Sequence, residues 1–352
     1  MNRITRTLTG LAVLLLAVTS GRTQDIFEPE KGLYSTEALT LTAPVDRQTR
    51  LVIKSAGSLT GRISVTVADQ NEVSLTYYKQ SRASSRSRAI DYIDLLAAGL
   101  KALPDNIRLE LRAPNPAPWE SKVEAGMIDV ELVVPLGFVI EMEATYYDLT
   151  ARGPLKGVEV SSSLGRFDIS DVDGVLKVAT KNRRIQLDNI KGTITVSTTN
   201  STLTAANIES NDDAALFRNE GGDIQIDGFR GRINVKNSYG RTVIREFAPR
   251  GNGNFIRGVS GPISLKLSEM PEGQLVVKNR YEDIELTVPD TLSADFSLSV
   301  DDEGEIEAVG FPFASDLVER NRLSLTSGDG AVEIVCSISG KGNVYVRGVK
   351  GE

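Results

Sequence analysis

The residues of this chain that could do chemistry are carboxylates, guanidinium groups and one thiol. Its 352 residues include no histidine and a single cysteine, Cys336. Ser-His-Asp and Cys-His catalysis, histidine-ligated zinc and imidazole pH switching are therefore excluded. A lone cysteine forms no internal disulfide. In Val332-Glu333-Ile334-Val335-Cys336-Ser337-Ile338 it shares one strand face with Val332, Ile334 and Ile338, which reads as buried core and not as a reactive thiol.

Acids are the remaining route to catalysis. Asp168 with Asp188, or Asp223 with Asp227, could line one face and act on a sugar chain. The same acids also suit outward strand positions, where charge discourages edge-to-edge pairing, and they are assigned that role. Asp301-Asp302-Glu303-Gly304-Glu305 and Asp212-Asp213 offer oxygen ligands, but they lack the spacing of an EF-hand loop or a calcium β-roll and read as solvated turns. Arg82, Arg86 and Arg88 flank a Ser-Arg segment that could grip phosphate, and read as a basic loop. Gly251-Asn252-Gly253-Asn254-Phe255-Ile256-Arg257-Gly258 fits neither a dinucleotide fingerprint nor a phosphate loop, and reads as a long turn. No catalytic, cofactor-binding or metal-binding residue is assigned.

The elements that must position these groups repeat. Val158-Glu159-Val160, Phe167-Asp168-Ile169, Leu176-Lys177-Val178, Ile185-Gln186-Leu187, Ile194-Thr195-Val196 and Leu203-Thr204-Ala205 recur every nine residues. Each alternates apolar, polar, apolar, the period of a half-buried strand. Turns at Asp171–Gly174, Asn189–Gly192 and Asn207–Ser210 recur at eighteen, so the unit holds two strands. A short insertion around Asn211 to Asn219 precedes further pairs, which continue less regularly to Val344-Tyr345-Val346. One such unit buries too little apolar surface to offset the entropy of ordering it, so the units must stack. An antiparallel meander is the rival arrangement. The eighteen-residue turn period favours a parallel stack.

The N-terminal third also alternates, at Leu51-Val52-Ile53, Ile63 to Val67, Val73 to Tyr77, Ile107 to Leu111 and Met127 to Leu132. Ala89 to Leu103 instead spaces Ile90, Ile93, Leu96, Ala97 and Leu100 as a helix would, ended by Pro104. Arg3 and Arg6, the apolar run Leu11–Val18 and the small residues Thr19-Ser20-Gly21 have the layout of a secretory signal peptide, expected to cover residues 1–20. No later stretch is long and apolar enough to span a membrane as a helix. The formal net charge of −7 disfavours general nucleic-acid binding.

Val158 to Gly174 and Val175 to Gly192, preceded by Val130-Glu131-Leu132-Val133-Val134-Pro135, resemble the bacterial "putative adhesin" domain of the head-GIN type. The opening strands Leu51 to Val67 and Val73 to Tyr77 are similar to that family's lead-in. The resemblance covers Leu39 to Gly348, is strongest from Asp129 to Phe247, and is broken by the helical segment at 89–103. It implies a single-stranded β-helix on an exported envelope protein and supplies no catalytic residues.

The expected fold is all-β: a β-solenoid with about 18-residue coils and a short helical insert near 89–103. A strand-rich part with that insert spans 21–150, and the regular repeat spans 151–352. The expected function is a non-enzymatic, adhesin-like or scaffold surface at the cell envelope, periplasmic or extracellular, with a glycan or an envelope protein as partner and no cofactor. The alternative is a carbohydrate-active β-helix enzyme, a polysaccharide lyase or hydrolase, using Asp or Glu on one face.

Overall fold

The computed structural model describes residues 25–120, 123–161, 164–301 and 303–350. The signal segment expected at residues 1–20, and Asp302 of the acidic run, lie outside them. Strand pairing joins the described strands into one continuous sheet. That sheet is wound as a solenoid of parallel rungs, and each rung contributes one strand to each of two rows.

The first row steps through the register pairs Phe167↔Ile185, Ile185↔Leu203, Leu203↔Ile224, Ile224↔Thr242, Thr242↔Ile263 and Ile263↔Ile284. All are parallel, with advances of 18, 18, 21, 18, 21 and 21 residues. The expected period is present, and a three-residue insertion lengthens some coils. A parallel ladder keeps identical positions one above another, so each alternating strand sends its apolar residues into one interior column. Val178, Val196, Phe217, Val235, Ile256 and Val277 form such a column, all buried. Cys336 continues it between Val277 and Leu298. Its thiol is fully enclosed, and burial pushes its pKa up to about 12.

Two side-chain ladders hold the turns. At one corner Asp171, Asn189, Asn207, Gly228 and Glu246 are register neighbours with φ between 47° and 78°. Glycine takes that region freely and Asn or Asp tolerates it, which explains the recurring turn residues. At the other corner a buried amide turns inward. Asn219 Nδ2 donates to the carbonyls of Ser201 (2.8 Å) and Gly222 (2.9 Å), and Asn237 Nδ2 to those of Gly222 (3.2 Å) and Gly240 (3.0 Å). Asn279 repeats the pattern on Gly261 and Glu282. These amides satisfy carbonyls that the turn withdraws from the ladder.

At both ends the rungs are out of sequence order. The coil Arg50–Ala56 and Leu59–Ala68 lies between the later coil Ile107–Arg112 and Ala125–Pro135 and the still later Val139–Glu143 and Tyr147–Arg152. At the far end Val332–Ile338 and Val344–Val349 lie between Gly273–Pro289 and Ala294–Val309. The outermost strands are antiparallel. Glu72–Arg82 covers Ala125–Pro135, and Arg322–Ser327 covers Ala294–Ser299. Closing the ends in this way blunts the open strand edges of the stack.

Two sequence expectations change here. The helix is present but runs Arg86–Asp94, with Ser85 as N-cap and Ala89, Tyr92 and Ile93 buried. The rest of the expected span is a strand, Ala97–Ala102, antiparallel to Ile107–Arg112. Ala98 and Leu100, two apart, pack against the core, and the partner strand's edge satisfies the backbone that a helix would have satisfied internally. The glycine-rich segment, expected as a long turn, is the strand Gly251–Gly258. Gly251 and Gly253 take positive φ at its start, and Asn254 and Ile256 then point inward as a regular rung.

Candidate functional site

The stack brings the candidate acids onto its outer faces and commits most of them to the next rung. Asp223 Oδ1 accepts the backbone N–H of Arg241 at 2.9 Å, and Asp227 pairs with Arg245 at 3.0 Å. Asp188 accepts from Asn207 at 3.0 Å, and Asp168 lies 3.9 Å from Arg152. Asp223 precedes the strand Ile224–Gly231 and Asp227 lies within it, and each carboxylate is engaged by a different residue of the neighbouring rung. Asp168 and Asp188 occupy different columns, opposite Gln186 and Ser170 respectively.

The same device recurs along one column of the first row. Asp129 Oδ1 accepts from Arg62 N (2.9 Å), Asp148 from Arg166 N (2.8 Å) and Asp283 from Asn343 N (2.8 Å). These acids accept a backbone N–H of the neighbouring rung, at or near the start of its strand, so they are ladder parts.

The basic loop is also engaged. Arg86 donates to the carbonyl of Ile26 at 2.7 Å, and Arg88 pairs with Glu124 at 3.0 Å. Tyr92 and Arg88 hydrogen-bond to the Glu124 carboxylate and bring its pKa down to about 2. Arg86 and Arg88, expected in a solvated basic loop, instead tie the helix to Ile26 of the N-terminal hairpin and to Glu124. Asp212 and Asp213 stand exposed in a turn, and Glu303 lies 3.9 Å from Lys341. Among the described residues no three acidic, histidine or cysteine side chains converge as a metal site would require.

Two open grooves run along the outside. One, of about 680 Å³, is lined by Phe27, Pro29 and Ser35 of the hairpin Ile26–Glu30 and Leu33–Thr36, and by Tyr78, the register partner of Asp129. Its floor is the column Asp129, Arg62, Asp148, Arg166, Arg184. The Arg62 guanidinium is held by Asp129 at 2.7 Å, which raises its pKa further, while Arg184 reaches only Gln186, at 2.8 Å. Arginine forks, acids and aromatic edges in one open trough suit multidentate polar recognition. None of these residues was singled out from the sequence. The signal was there in the 18-residue spacing of Asp148, Arg166 and Arg184. A second groove, of about 850 Å³, follows the positive-φ corner past Asn207, Gly228 and Glu246.

No family model matches the chain, and no curated protein does. Among solved structures, a putative cell adhesion protein from Clostridium sporogenes aligns over 89% of this chain and 100% of its own, at 8% identity and a TM-score of 0.19. A putative adhesin from Bacteroides fragilis aligns over 88% of this chain and 97% of its own, at 13% identity and a TM-score of 0.29. The fold assignment rests on the rungs of this chain itself. No described helix is long and apolar enough to cross a membrane.

Proposed function

We propose that this chain is an exported, adhesin-like β-solenoid without catalytic activity, which presents its outer faces to a glycan or an envelope protein. The observation that carries the reading is the use of the acids. Asp129, Asp148, Asp223 and Asp283 each hold the backbone of the next rung, and Asp227 holds a guanidinium. What is left for a partner is a long open surface with a groove of arginine, acid and aromatic groups. The resemblance of Asp129 to Phe247 to the adhesin-type domain and the signal-like segment at residues 1–20 support export to the envelope.

The test is a glycan array and an envelope pull-down with the mature protein, run beside a depolymerisation assay on the polysaccharides bound. Binding without turnover is expected, and Arg166→Ala with Arg184→Ala should weaken it. Turnover of any polysaccharide would replace this reading with the lyase or hydrolase alternative. N-terminal sequencing of the exported form is expected to begin near residue 21.

A further inference from the structure

Four consecutive rungs of the second row place a cation at one position. Arg218, Lys236, Arg257 and Lys278 are register partners in turn, and all four are exposed. The column is bounded by Ser197 on one side and Ser337 on the other. Neighbouring rungs are about 4.8 Å apart, so four positive charges stand in a line about 14 Å long.

Like charges directly opposite one another on adjacent strands are destabilising. Where like charges meet elsewhere in this row, at the register partners Glu141 and Glu159, cations compensate them. Arg50 pairs with Glu141 at 2.8 Å and Glu159 at 3.5 Å, Lys177 with Glu159 at 3.2 Å and Lys54 with Glu143 at 3.0 Å. No acid stands in ion-pair contact with any of the four cations among the described residues, in a chain whose formal net charge is −7. A line of unpaired cations kept against both the pairing habit of its row and the sign of the chain calls for an external line of anions.

Its flanks narrow the ligand class. The neighbouring outward column is Leu216, Asn234, Phe255 and Val276, with Phe255 45% exposed. Beyond the other edge, Tyr239 and Tyr281 are 61% and 40% exposed at the turns that end two of these rungs. Exposed aromatic faces at Phe255, Tyr239 and Tyr281 beside a row of charges match a polymer of anionic sugar rings. Each pyranose offers an apolar face, and each ring carries one carboxylate.

The geometry points to a binding site for a linear polyuronate laid along the solenoid axis, its carboxylates on Arg218, Lys236, Arg257 and Lys278. This rests on the binding reading above and gives it a ligand class.

The test uses the mature full chain, with polygalacturonate and alginate as probes and neutral dextran and single-stranded DNA as comparators. Calorimetry is expected to show polyuronate binding that weakens steeply with salt. The fourfold variant Arg218→Gln, Lys236→Gln, Arg257→Gln and Lys278→Gln should lose it at least tenfold, and the exposed pair Lys101→Gln with Arg322→Gln should keep it. Polyuronate should also raise the melting temperature of the wild type and not of the fourfold variant, a readout that certifies folding. Equal affinity of variant and wild type, no polyuronate binding at low salt, or DNA bound as tightly as polyuronate would each overturn the site. If the array shows another glycan while polyuronate fails, the column falls and the adhesin-like reading stands. Depolymerisation of a polyuronate that the column binds would do the reverse.

Discussion

Ile284 and Val344, sixty positions apart in sequence, are register partners in adjacent parallel rungs. Ile306 lies on the far side of Val344, so the last coil of the chain is an interior rung of the stack. A terminal rung covers one neighbour, whereas this one covers two.

Removing residues 329–352 should therefore cost far more than trimming an end. It deletes the buried residues Ile334, Cys336, Val344 and Val346 and uncovers the inner faces of the rungs on both sides. A fall in Tm of roughly 10 °C or more, or loss of a cooperative transition, is expected by circular dichroism. A truncated chain that melts like the full one would refute the interleaved order.

Asn237→Ala should destabilise by about 1–3 kcal/mol, because it strips a buried amide from the turn carbonyls of Gly222 and Gly240. Denaturant titration reads this directly. A neutral effect would mean that water replaces the amide.

Glu246 holds φ +47° where its register neighbour has Gly228. Glu246→Gly should raise stability by about 0.5–1 kcal/mol, since glycine adopts that region without a Cβ penalty. A drop in the urea midpoint would show that the Glu246 side chain contributes more than its backbone costs.

Glu124 sets a pH dependence. Its folded pKa of about 2 lies below the ordinary carboxylate value, so its contribution is full above that value. The contribution is lost as pH falls towards 2. The Tm gap between wild type and Glu124→Gln should be widest near pH 6 and shrink steadily below pH 4. A gap independent of pH would show that the Tyr92 and Arg88 contacts do not favour the charged form.

Much of the stack was legible in the residues. Alternation from Val158 to Ala205 and Asn or Gly at eighteen-residue spacing encode strand and turn locally, because side-chain direction and permitted φ are properties of each residue. The helical spacing at Ala89–Leu103 was legible too, but only its first part survives as a helix. Ala97–Ala102 found a partner in Ile107–Arg112, a contact that local sequence does not contain.

The sequence by itself determined alternating strands with one apolar face, a turn period that favours a parallel stack, and the absence of histidine chemistry. Tertiary structure alone decided which rung lies beside which at the two ends, since Ile284 chooses between Ile306 and Val344 by the fit of whole faces. It also decided what the charges do. Once three-residue insertions shift the period, only the hydrogen-bonded register reveals that Arg218, Lys236, Arg257 and Lys278 share a column, while Asp223 and Asp227 are bound to the rung beside them.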